Sequence, residues 1–238
     1  MFYKRSYALQ KYRGRQREVF GLLKVSRKAY PEVTLRNLSA LKPIYRGAIV
    51  LLYSHLEGYI EDVIEESVEY LNRACIKSNQ LPGRLKIANC EKVIAEISAT
   101  TDPVKKEQLI EALIINNYPF WSDGELPPAK LEADFLTSDF ANPSPRKIEK
   151  LLKKMGIEKI FSEMFNLGFN KRRVGTLSTK IEALAEIRHD IAHGNFATAC
   201  TDDDLIDYLK SVKLFCRCLD AKIGLHLEEI TKEFPWKN

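Results

Sequence analysis

Apolar residues recur three and four positions apart along most of the chain, and apolar–polar alternation is nowhere sustained. That period predicts helices and no sheet. The longest pattern runs from Thr34 to about Ala74, with a seam of Tyr45, Ile49, Leu52, Leu56, Tyr59 and Val63. A four-and-three spacing of this kind suits packing in a bundle. Pro43 is read as the start of the helix proper. A first helix is expected over residues 5–25, on Leu9, Tyr12, Val19, Phe20, Leu22 and Leu23, weakened by Gly14 and Gly21 and stopped by Pro31. A last long helix follows the capping signal Thr201-Asp202-Asp203-Asp204, carrying Leu205, Leu209, Val212, Phe215, Cys216, Leu219 and Ile223.

The middle of the chain is broken by turn signals at Pro82-Gly83, Asp102-Pro103, Pro127-Pro128 and Pro143-Ser144-Pro145. Short helices fit residues 89–98, 104–116 and 129–137, and the whole stretch 78–145 reads as an insertion within one domain spanning 1–238. Two more short helices fit 146–154 and 157–166, and residues 166–175 read as a loop. The expected fold class is all-α: a bundle of long antiparallel helices with a helical insertion.

One helix concentrates the chemistry. It runs from Thr179 to His193, with Thr179 and Glu182 as a capping box and Gly194 as the left-handed residue that closes it. Its apolar stripe is Ile181, Leu184 and Ile191, and Arg188, four residues after Leu184, falls on that stripe. A guanidinium stays charged and is costly to bury alone. One aimed into an apolar seam is expected to meet a carboxylate, a phosphate or another chain.

Charge is segregated, although the net value is only +5. Residues 1–30 hold nine Lys or Arg against Glu18 alone, and a second basic stretch lies between Arg146 and Arg173. With Tyr3, Tyr7 and Tyr12 interleaved, this fits a phosphate-binding face, with Arg13, Arg15, Arg17, Lys171, Arg172 and Arg173 as candidate RNA contacts. The plainer reading is a solvated arm, or one docked on the acidic part of the long helix, where six acids and no base lie between Glu57 and Glu69. Glu65, Glu66 and Glu69 read as solvated. Glu57, on one side with Ser54 and Glu61, is a candidate to hold Arg188 or orient a histidine. Five cysteines without framework spacing suit a reducing cytosol and free thiols. No apolar run approaches the roughly 20 residues of a bilayer span, and no secretory leader is visible. A cytoplasmic protein without membrane contact is the expectation.

Arg188, His189 and His193 form an Arg-(four residues)-His pattern with a polar residue directly after the arginine. This resembles the signature of HEPN domains. A second match, Arg46 to Asp62 with Leu56-Glu57-Gly58-Tyr59, is similar to the long helix of stand-alone prokaryotic HEPN proteins of defence and toxin systems. The resemblance implies a HEPN-like bundle and a metal-independent endoribonuclease without a cofactor, acting on RNA as a homodimer whose two subunits contribute to one site. It also implies an antitoxin or defence-system partner. The residue chemistry agrees: His193, with His189 as second polar group, can exchange protons near neutral pH, and Arg188 can clamp phosphate oxygens. Ser54 and Glu57 are the supporting candidates.

Other readings remain open on the residues. Arg188 and His193 lie about 140° apart on an ideal helix, which favours a composite dimer site unless the helix loosens before Gly194. His189 and His193 have zinc-ligand spacing, though no further ligands follow in the stretch except Asp190. His189-Asp190 faintly resembles the HD phosphohydrolase motif, without that family's upstream histidines. A non-catalytic RNA-binding or toxin–antitoxin interaction module is the alternative function. Asn195 stands where toxins regulated by adenylylation carry tyrosine, which argues against that regulation.

Overall fold

The seam read along residues 45–63 is the axis of the fold. In the computed structural model, residues 5–32, 34, 36–74, 76–122, 130–195 and 200–236 are described, and among them only helices and turns occur. Helix α2 (Leu38–Arg73) buries Tyr45, Ile49, Leu52, Leu56, Tyr59 and Val63. It packs against α1 (Tyr7–Ala29), α9 (Leu177–Ala192) and α10 (Asp202–Thr231). Between them lie α3 (Gly83–Ala99), α4 (Pro103–Trp121), α5 (Ala133–Thr137), α6 (Pro145–Lys154), α7 (Ile160–Glu163) and α8 (Lys171–Val174). The all-α expectation is met. No described helix is long and apolar enough to cross a membrane.

Several starts differ from the sequence reading. Pro43 lies inside α2 rather than at its head. Buried Leu41 draws the helix back to Leu38, and Pro43 is exposed, so water can satisfy the one carbonyl its ring leaves unpaired. Helix α9 begins at Leu177, not after Thr179, and the expected box between Thr179 and Glu182 does not form. Leu177 is buried and extends the apolar stripe by one turn. Helix α8 occupies part of the expected loop. The capping box of Thr201 and Asp204 at α10 is present.

The first helix is tied down by acids that the sequence reading left in solvent or unassigned. Glu66 accepts the backbone N–H groups of Tyr7 (2.9 Å) and Ala8 (2.8 Å), so it caps α1 instead of standing free. Asp62 pairs with Lys11 and Arg15, each at 2.9 Å. Arg15 fits because residue 58 is glycine: a Cβ there would lie 3.0 Å from its Nη1. Tyr12 is not on a phosphate-binding face but fully buried, its ring 5.4 Å from that of Tyr59. Tyr3 lies outside the described residues. Cys90, Cys200, Cys216 and Cys218 are buried free thiols; Cys75 lies outside the described residues.

Ser6, the N-cap of α1, accepts the Leu9 N–H at 2.9 Å and donates its hydroxyl to Asp220 of α10, whose second oxygen takes the Ser6 N–H at 3.3 Å. Trp236 covers the same spot, donating its indole N–H to the Asp220 carbonyl at 3.3 Å. Burial pushes the Asp220 carboxyl up to about 6, against the pull of its two bonds from Ser6. A raised acid favours the fold while neutral, so this contribution is whole below the ordinary value of 3.8 and is lost as pH rises through about 6. Asp220→Asn cannot titrate, and its amide offers a single oxygen to the two Ser6 donors. It should be less stable than wild type at pH 4, with the deficit shrinking by up to about 3 kcal/mol by pH 7. Paired urea melts across that range measure it; a deficit constant with pH would mean that Asp220 does not titrate there.

Candidate active site

Helix α9 reaches its end through a tight C-terminal turn. Gly194 takes φ +77°, as expected of a C′ glycine. The Gly194 N–H donates to the Ile191 carbonyl (3.2 Å) and the Asn195 N–H to that of Asp190 (2.9 Å). His193 is the cap residue, already off helical geometry at φ −86°, ψ 12°, with its N–H still donated to His189 at 3.0 Å. No unwinding is needed: His189 and His193 are one turn apart on one face, and the long side chain of Arg188 reaches the same side. Arg188, His189 and His193 consequently line one cleft of about 560 Å³ within a single chain. The two imidazole rings lie 4.2 Å apart, centre to centre.

The same cleft is lined by Glu182, Ala185, Glu186 and Asp190 of α9, by Tyr53 of α2, and by Asn142 and Lys147. Arg188 is half-buried, as its position on the stripe implied, but what it meets is an aromatic ring. Its guanidinium carbon stands 5.5 Å from the centre of the Tyr53 ring, a contact worth about 0.5–2 kcal/mol. No carboxylate lies within ion-pair distance among the described residues, and the buried Nε has no hydrogen-bond partner there. Tyr53 is itself fixed, its hydroxyl donating to the Pro143 carbonyl at 3.1 Å. Burial, helped by the nearby Glu57, pushes its phenol up to about 12, so it stays a neutral donor at physiological pH. The cleft thus holds its arginine through a ring face and leaves the planar fork to bind an oxyanion.

Other sequence candidates lie elsewhere. Glu57 does not ion-pair with Arg188; its Oε1 accepts the Asn142 N–H at 2.7 Å, one step behind the cleft wall. Ser54 is exposed on α2 and does not line the cleft. Arg15 is committed to Asp62. Burial, with Arg5 and Arg217 close by, pulls Arg13 below the ordinary arginine value. Arg217 also stands 5.4 Å over the Phe169 ring, just ahead of the exposed Lys171, Arg172 and Arg173. The two basic segments therefore approach each other through Arg217. Neither they nor the exposed Arg17 line the cleft.

The residues that sequence reasoning missed are Tyr53, Asn142 and Lys147, since only the fold carries them to α9. Glu182 and Glu186 were missed as well, although they fall on one helical stripe with His189 and His193. With Asp190 they make three carboxylates against the fixed cations Arg188 and Lys147, so attraction of a polyanion here is local to those two groups rather than a property of the whole cleft. Among the described residues no group of three His, Cys, Asp or Glu side chains converges to hold a metal ion.

A family model described as RiboL-PSP-HEPN matches residues 15–224. Neither the curated proteins nor the solved structures give a match.

Proposed function

Because this chain belongs to the RiboL-PSP-HEPN family, we propose that it is a metal-independent endoribonuclease whose catalytic groups are Arg188, His193 and His189. The observation that carries the reading is the opening of all three onto one cleft, with the guanidinium seated on Tyr53 and unpaired by any described carboxylate. In the reaction a 2′-hydroxyl loses its proton and attacks the adjacent phosphorus. The bond to the 5′-oxygen breaks, that oxygen takes up a proton, and a 2′,3′-cyclic phosphate remains. His193 exchanges protons with the reacting oxygens, His189 assists it, and the Arg188 fork neutralises the charge gathering on the non-bridging oxygens.

An in-line displacement puts the entering and leaving oxygens on opposite sides of phosphorus. With their rings only 4.2 Å apart, the two histidines of one chain serve one side. The opposite side is then supplied by a second copy, so the working form is a homodimer. The resemblance of Arg46–Asp62 to stand-alone prokaryotic relatives supports use as a defence or toxin effector under control of a partner protein.

The deciding experiment is incubation of the wild-type chain with single-stranded RNA in excess chelator. Cleavage should persist and leave 2′,3′-cyclic phosphate ends. Activity that disappears in chelator and returns with zinc would replace this mechanism by a metal site on His189 and His193. RNA bound but never cut, at any salt or pH, would make the chain a binding module.

A further inference from the structure

The loop joining α5 to α6 is held from three sides. Glu57 accepts the Asn142 N–H, Tyr53 donates to the Pro143 carbonyl, and the Lys147 ammonium donates to the Ala141 carbonyl at 2.5 Å. Asn142 sits at φ +54°, a left-handed conformation that asparagine tolerates better than most side chains. The loop is therefore a fixed strap, and it faces the cleft that α9 lines.

Asn142 in the strap and Lys147 in the first turn of α6 have chemistry to spare. The Asn142 side chain is exposed and makes no hydrogen bond to any described residue. A carboxamide sets a donor beside an acceptor, which matches one edge of a nucleobase, and unstacked bases of single-stranded RNA are read on such edges. Lys147 has three donors and the strap uses one, leaving the ammonium able to hold a phosphate as a point charge.

Resting on the ribonuclease reading for the class of ligand, we propose that the strap is a nucleotide subsite beside the scissile phosphate. Asn142 reads the base edge of one flanking nucleotide and Lys147 holds its phosphate. Glu57 is a positioning residue that acts through the Asn142 backbone.

The test is binding of labelled oligo(A), oligo(C) and oligo(U) hexamers in chelator to the His193→Ala chain, where substrate persists. One hexamer should bind best. Asn142→Gly keeps the left-handed backbone but removes the carboxamide, and should shrink the spread among hexamers roughly ten-fold. Lys147→Ala should weaken all three alike and lower the salt slope by about 0.7, one single-strand phosphate contact. Glu57→Ala should lose the preference as Asn142→Gly does, while Glu57→Gln, which keeps an acceptor, restores it. If Asn142→Gly does not fold, Asn142→Asp exchanges the amide donor for an acceptor and should change which hexamer binds best. An absent preference in the parent, or one untouched by either Asn142 variant, overturns the subsite. A preference erased at Asn142 in a protein whose wild type never cuts RNA would keep the subsite and remove the nuclease.

Discussion

His193→Ala is expected to lower the rate of RNA cleavage by roughly 10²–10⁴-fold, the range for loss of one positioned proton-transfer group. Arg188→Ala should cost roughly 10²–10³-fold by removing charge stabilisation at the phosphorus. Arg188→Lys should rescue little, because a lysine keeps the charge but loses both the planar fork and the stacking on Tyr53. The double variant should be little worse than the poorer single one, since both groups act in one transition state. Both side chains lie outside the core, so thermal melts should stay near wild type. Full activity in His193→Ala, or a loss that tracks unfolding, would dismiss the assigned roles.

The largest effect on stability is expected at Phe215. It is wholly buried on α10, and its ring stacks on Phe161 with centres 5.7 Å apart. That stack pins α7 to the last helix. Phe215→Ala removes a large side chain from a packed interior and should cost about 3–5 kcal/mol, read as a lower urea midpoint at unchanged slope. A loss below about 1 kcal/mol would mean that the surrounding helices close the gap.

What the sequence disclosed follows the range of each signal. The α2 seam and the Gly194 stop rest on periodicity and chirality within a few residues, and both are found in the structure. The Arg188 anomaly was legible for the same reason, because an arginine four residues after a core leucine cannot avoid the seam. Its partner was not legible. Tyr53 lies on another helix and gives no pattern that separates a seat for a cation from a core tyrosine. Glu57 was noticed as a carboxylate on the right helix, but the Asn142 N–H that it meets was not legible, since that contact spans 85 residues. Arg15 read as a phosphate contact because charge composition does not reveal that Gly58 opens a berth beside Asp62. The Thr179 box failed because burying Leu177 outweighed a cap, which is typically worth about 1 kcal/mol.

The bond between Ser6 and Asp220 joins residues 214 positions apart, and this bears on how the protein is made. A chain grows from its N-terminus at roughly 5–20 residues per second. Ser6 therefore waits on the order of ten to forty seconds before the carboxylate that completes its cap has been synthesised. Glu66 arrives after 59 residues, so α1 can first lodge on α2 and is fastened only when α10 follows. During that interval the basic arm is held by an unfinished set of contacts. Closure of the whole bundle waits until α10 has been made.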